Sequence, residues 1–298
     1  PPFRLLEPWM KTNQELTANV SYIVYHDEPM ILGSSCVMEA DELEYDRVYC
    51  ETIQDLEYIR DQHTVHFMMA IPRIKLHDLR SLVTKSVMRD VDVNVQGEIP
   101  NIMITDTGLD YYHCSFYDAS RPVPTLGYFS SSLHSKLLGI VHGENADYIA
   151  VNGAHGTLTS AVASGRACGS FSGGYSPTSK LAFIDISIGD DYLTIPYHLK
   201  TYTETLYNLH NVRIHSMSWG DNDPVGGKYT TSAYLIDEMA YSMPELSLIA
   251  AAGNSGPVGR IVSPGNGKNV IGVGAEASFS SVGPTNDGRR GPSVIFEG

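Results

Sequence analysis

From about Gln96 onward the apolar residues of this chain fall into a rhythm: runs of strand length alternate with stretches of helical period, and glycines sit at the joints. Ile102-Met103-Ile104, Leu181-Ala182-Phe183-Ile184, Val212 to Met217 and Leu246 to Ala252 are the strand-length runs. Between them Leu199, Tyr202, Leu206 and Leu209 follow helical spacing, and Leu235, Met239 and Met243 repeat every fourth residue. A strand apolar at nearly every position must be covered on both faces, and intervening helices supply that cover. The pattern predicts an α/β fold with a mostly parallel sheet and helices on both faces, spanning residues 96–298. Residues 1–95 lack the rhythm. They are charged and irregular, with an acidic stretch from Glu39 to Asp46 and a mixed segment from Lys75 to Asp92 that carries Leu79, Leu82 and Val87 at helical spacing. They are expected to form a separate N-terminal region of uncertain fold, a pro-region or an accessory segment.

Composition removes several classes of function. A formal net charge of −14 gives no nonspecific attraction to phosphate backbones, so no nucleic-acid partner is expected. No run of about 18 apolar residues occurs, so no transmembrane segment is expected in this chain. Cys36, Cys50, Cys114 and Cys168 are too sparse for a disulfide framework and contain no C-x-x-C pair; pairing as Cys36 with Cys50 and Cys114 with Cys168 stays open against free thiols. The chain starts Pro1-Pro2-Phe3 without Met or a charged-then-apolar leader, which reads as a processed or incomplete product. With the sequon Asn19-Val20-Ser21, a secreted or endomembrane setting is favoured.

A parallel sheet offers its function at the carboxyl ends of its strands. Those ends here read Thr105-Asp106-Thr107-Gly108, Ser216-Met217-Ser218-Trp219-Gly220 and Ala251-Ala252-Gly253-Asn254-Ser255-Gly256, and His155-Gly156-Thr157 opens a helical stretch from Leu158 to Ser164. Singly, each has a plainer explanation. Asp-Thr-Gly after a strand is more often a turn and helix cap, a histidine near a helix start is more often a satisfied polar residue, and an Asn between glycines is usually a turn residue. Jointly, a carboxylate, an imidazole and a carboxamide are the parts that orient a base and hold an oxyanion.

These segments, in this order, resemble the successive motifs of the subtilisin-like serine proteases, as do Phe279-Ser280-Ser281-Val282-Gly283-Pro284 and Asp287-Gly288-Arg289-Arg290-Gly291-Pro292. The Tyr229-Thr230-Thr231 segment and the long separation of Asp106 from His155 are most similar to the branch of large bacterial alkaline proteases and their eukaryotic relatives. The resemblance implies a serine endopeptidase acting on peptide or protein substrates. It makes Asp106 the residue that orients His155, His155 the general base and Asn254 the oxyanion donor. It also implies substrate binding by Ser216, Ser218, Trp219 and Gly220 on one wall and Ala251, Ala252 and Gly253 on the other, with extended substrate added as a strand beside Ser216 to Gly220. No cofactor is implied for the chemistry; structural calcium is common in the family, but no metal site is assignable from these residues.

The departures carry expectations of their own. Leu158 stands where the family has a second histidine, and Phe296-Glu297-Gly298 replaces its Ala-Pro-Gly. The family's nucleophile segment, Gly-Thr-Ser-Met-Ala, does not occur after Asn254, and no other serine has that setting. The polypeptide as it stands is therefore expected to lack peptidase activity, with a sequence cut short favoured over a naturally inactive peptide-binding or interaction protein. Asp221-Asn222-Asp223-Pro224-Val225-Gly226 starts like a calcium loop, but Val225 and Ser232 fall at ligand positions, so a solvated acidic loop is expected. Gly265-Asn266-Gly267-Lys268-Asn269 fails the phosphate-loop pattern, Ile271-Gly272-Val273-Gly274-Ala275 lacks a dinucleotide fingerprint's third glycine, and His63 with His66 has no third ligand nearby.

Overall fold

The computed structural model describes residues 16–26, 29–41, 45–62, 64–72, 74–76, 99–121, 134–143, 155–188, 192–256 and 258–296. The described residues of the N-terminal region, irregular by sequence pattern, are folded into strands and a helix. Its strands β1 (Val20–His26), β2 (Cys36–Asp41) and β3 (Asp46–Cys50), helix α1 (Ile53–Arg60) and strand β4 (Val65–Ala70) form an antiparallel sheet of order β2-β3-β1-β4 with one helix. The charged residues hid a short alternating core: Tyr22, Val24, Val48, Leu56, Ile59, Val65 and Met68 pack together. Thr52 caps α1 by accepting the Asp55 N–H on its side chain. Cys36 and Cys50 are direct partners across β2 and β3 and are joined as a disulfide. Leu79, Leu82 and Val87 lie outside the described residues.

Strand β5 (Ile74–Leu76) leaves this unit and enters the second. There follow β6 (Asn101–Asp106), β7 (Leu137–His142), helix α2 (His155–Ser164), β8 (Leu181–Asp185), β9 (Ser187–Ile188), β10 (Tyr192–Leu193), α3 (Leu199–Leu209), β11 (Val212–Met217), β12 (Trp219–Asp221), α4 (Thr231–Ser242), β13 (Ser247–Ala251), β14 (Ile271–Ala275) and β15 (Val294–Phe296). Seven strands form one wholly parallel sheet of order β15-β14-β13-β11-β6-β8-β7. Along β6 the pleat divides its residues between two cores. Ile102 and Ile104 pack with Phe183 and Ala161 of α2, whereas Met103 packs with Leu199 and Leu206 of α3 and Leu235 and Met239 of α4. The sheet is thus covered on both faces, as the apolar strands required. Leu209 departs from the expected stripe of α3: it is exposed, because the helix ends there and His210 caps it. Among the described residues, no helix is long and apolar enough to cross a membrane.

A second, smaller sheet of order β12-β5-β10-β9 lies at the carboxyl edge. In it β5 is an inner strand, antiparallel to β12 through Trp219↔Leu76, Gly220↔Lys75 and Asp221↔Ile74, and antiparallel to β10 through Leu193↔Ile74. The N-terminal unit is also held to the segment before α3 and to the start of α4. Arg47 is buried, donates to the Ile195 carbonyl (3.2 Å) and lies 4.0 Å from the ring centre of Tyr197. Thr231 donates its hydroxyl to the Ala70 carbonyl (2.6 Å).

Candidate active site

Asp106 is the last residue of β6, on the edge where parallel strands leave free backbone, and it is fully buried. A carboxylate without water must be satisfied by donors. One of its oxygens, Oδ1, accepts the Thr107 N–H (2.7 Å) and lies 2.7 Å from His155 Nδ1, while Oδ2 accepts the Thr159 hydroxyl (3.2 Å). A carboxylate oxygen accepts, so this contact is donated by the Nδ1–H of His155. Thr159 stands four residues after His155 and therefore on the same face of α2, where its hydroxyl holds Asp106.

His155 is the first residue of α2, ahead of the start expected at Leu158. The approach of this helix to the turn after β6 explains Gly156: a Cβ there would lie 1.7 Å from the Thr107 carbonyl oxygen and 2.7 Å from that of Gly108. The Gly156 N–H instead reaches Thr107 Oγ1 (3.3 Å), and Thr157 Oγ1 accepts the Asp110 N–H (2.9 Å). The turn is also held from the next strand. Asp185, fully buried at the end of β8 and paired in register with Asp106, accepts the Gly108 N–H (3.2 Å), and its other oxygen lies 3.1 Å from His142 Nδ1. The sequence reading misses Thr159, Asp185 and His142; their only signal is position, one helical turn from a site residue or at the end of a neighbouring strand. Asn152, Gly153 and Ala154 lie outside the described residues.

Asn254 follows β13, which only β11 separates from β6, so Asn254 and Asp106 leave the sheet at the same edge. Its turn is fixed by the following segment: Gly253 O accepts the Ser281 N–H (2.9 Å), Ser281 Oγ accepts the Ser255 N–H (3.1 Å), and Phe279 O accepts the Gly256 N–H (2.9 Å). Gly253 has φ +112°, a conformation that L side chains avoid, which is why glycine precedes the Asn. Ala251 ends β13, and buried Ala252 donates its N–H to Val273.

Two expectations change at the facing wall. Ser216 lies inside β11, between Ile104 of β6 and Ile249 of β13, so its backbone belongs to the central sheet, and the next strand, β12, begins at Trp219. Ser218 links β11 to β12, and Gly220 lies within β12. Trp219 contributes backbone at this wall, because its side chain is fully buried and donates Nε1–H toward the Thr105 carbonyl and hydroxyl oxygens (both 3.0 Å). That hydroxyl also lies 3.0 Å from Nε2 of His215, whose burial pushes its pKa down to about 3 and keeps it neutral. Asp221, expected in a solvated loop, is buried instead: its carboxylate takes the hydroxyls of Thr230 (2.5 Å) and Ser232 (2.7 Å) at the start of α4. Burial pushes its pKa up to about 7 against the pull of those two hydroxyls.

The sequence model of the subtilase family matches residues 98–298. The serine protease/ABC transporter B family protein tagD of Dictyostelium discoideum is 35% identical over 197 residues, covering 62% of this chain and 10% of that protein. The serine protease/ABC transporter B family protein tagB of the same organism is 34% identical over 194 residues, again 62% of this chain and 10% of that protein. The chain thus spans about a tenth of the length of these relatives. Fervidolysin from Fervidobacterium pennivorans, a keratinolytic enzyme related to subtilisin, shares the fold with a TM-score of 0.54 at 16% identity, over 90% of this chain and 46% of that one. Coverage that wide takes in part of the N-terminal unit as well. Because the family match runs over the greater part of the chain and includes all seven strands of the parallel sheet, this protein belongs to the subtilase family.

Proposed function

We propose that this chain carries the acid–base and oxyanion parts of a serine endopeptidase that cleaves extended peptides, Asp106 orienting His155, His155 acting as general base through Nε2, and Asn254 donating to the tetrahedral oxyanion. The observation that carries the proposal is the 2.7 Å contact between Asp106 and His155 Nδ1, the arrangement that orients the imidazole of a general base. Buried Asp106 would stabilise the imidazolium formed when His155 takes the nucleophile's proton. Backbone of Trp219 and Gly220, with Ser218 ahead of it, would receive the substrate on one side, and Ala251, Ala252 and Gly253 would flank it on the other. The position of β5 supports the substrate class, since an extended segment of this chain is paired with Trp219–Asp221. The same pairing supports the reading of residues 1–95 as a pro-region, which would compete with substrate for that edge.

In the full-length gene product, His155→Ala is expected to lower kcat by about 10⁶-fold, as loss of the base does in other Asp–His–Ser proteases, with KM changed far less. Turnover near the parent value would remove His155 from the role of base. Residues 1–298 hold no Ser in a Gly-Thr-Ser setting, so this polypeptide is expected not to hydrolyse peptides by the serine mechanism. Hydrolysis by it, blocked by a serine-directed phosphonylating reagent, would overturn that assignment.

A further inference from the structure

Among the described residues, one group of three metal-type donors converges away from the Asp106–His155 pair. His113, Cys114 and Cys168 place their ligand atoms within 4.8 Å of one another. Cys114 lies in the segment that follows Asp106, Cys168 lies just past the end of α2, and the two sulfurs are joined as a disulfide with Cα atoms 5.8 Å apart. Spacing gives no hint of such a group, because the cysteines are 54 residues apart in sequence.

What holds these residues together is not the disulfide alone. Ser115, next to Cys114, accepts the Arg166 N–H on its carbonyl (3.1 Å), and the Arg166 guanidinium reaches the Tyr117 carbonyl (3.4 Å). Cys168 is fixed in a tight turn by two backbone bonds exchanged with Phe171 (2.8 and 3.0 Å). The Ser115 N–H donates to His113 Nδ1 (3.3 Å) and holds the ring locally beside Cys114. Both sides of the contact are thus held by hydrogen bonds that do not involve the sulfurs. His113 and Cys114 are exposed and Cys168 is half-buried, so a reductant and an ion both have access. Two thiolates on one tetrahedral zinc-sized ion, at bond lengths of about 2.3 Å, sit about 3.8 Å apart.

We propose that His113, Cys114 and Cys168 form a redox-gated site for a soft divalent cation of the zinc class, closed by the disulfide when oxidised and open as an imidazole–dithiolate set when reduced. In the opening step a dithiol reductant attacks one sulfur, the S–S bond breaks, each cysteine ends as a thiol, and the reductant leaves as its own disulfide. The cation then displaces the two thiol protons to solvent, binds both thiolates and one imidazole nitrogen, and leaves its fourth position to water. Either state ties the segment after Asp106 to the end of the helix that begins at His155. The site does not depend on the peptidase reading.

The test is zinc and cobalt(II) binding by the full chain, without oxygen, before and after reduction with a phosphine that does not itself hold the metal. The reduced chain is expected to take up about one more equivalent of zinc than the oxidised chain, and cobalt(II) to show thiolate charge-transfer absorption. Cys114→Ser with Cys168→Ser, which leaves Cys36 and Cys50 in place, should abolish that gain, and His113→Ala should weaken it by at least about 10-fold. Equal uptake by oxidised and reduced chains, or unchanged affinity in His113→Ala, which keeps both cysteines, would overturn the proposal.

Discussion

At the scale of single residues, the site is set by how closely backbone meets backbone. Gly156 permits α2 to press against the carbonyls of Thr107 and Gly108, and this brings His155 to Asp106. Gly156→Ala would drive its methyl into the Thr107 carbonyl, so it is expected to destabilise the chain by about 2–3 kcal/mol in urea titration. A loss near zero would mean that α2 shifts without cost and that the close approach is not a constraint. Asp106 itself was legible in sequence because an Asp-Thr-Gly ends an apolar run. The residues that satisfy its surroundings were not, since Thr159 and Asp185 act through positions created by the helix and the neighbouring strand.

At the scale of elements, the junction of β12 with α4 shows a carboxylate used for structure. Asp221 ends the strand that pairs with β5, and Thr230 and Ser232 bring their hydroxyls to it at the helix start. Its ordinary pKa is 3.8 and burial raises it to about 7, so between these values the folded chain holds a proton that the unfolded chain has released. Stability contributed by this group is therefore present at low pH and is lost as pH rises toward 7, by at most about 4 kcal/mol. Asp221→Asn is expected to flatten that slope in urea midpoints measured from pH 4 to pH 8 and to stabilise the chain at pH 8. A slope equal to that of the parent would assign the proton elsewhere. The sequence suggested a solvated loop because Val225 and Ser232 fall where a calcium loop needs ligands; in the fold Asp221 instead ends β12 and is met by the hydroxyls of Thr230 and Ser232.

At the scale of the whole molecule, the N-terminal segments and the subtilase unit share a small sheet and a core. Ile74 is buried in the same core as Leu193 and Trp219, and Arg47 is buried against Tyr197 and the Ile195 carbonyl. Ile74→Asp removes an apolar contact and places a charge in that core, which should weaken the hold of β5 by at least about 2 kcal/mol. If an added peptide competes for the same edge, its apparent affinity rises about 30-fold in fluorescence polarisation with a labelled apolar peptide. Unchanged affinity would show that β5 and peptide do not compete.

The sequence by itself determined the parallel sheet, its two covers of helix and the places where Asp106, His155 and Asn254 occur, because near-continuous apolar strands and glycine-marked turns are local patterns that admit few arrangements. It left the N-terminal unit illegible, since its strands are short, lie among charged segments and pair antiparallel with partners that local pattern does not name. Only the tertiary structure decided that Ser216 lies inside the sheet, that β5 pairs with β12, that Asp221 is buried, and that Cys114 reaches Cys168 beside His113. Each of these depends on which segments meet across long loops, and neither periodicity nor spacing along one chain encodes that meeting.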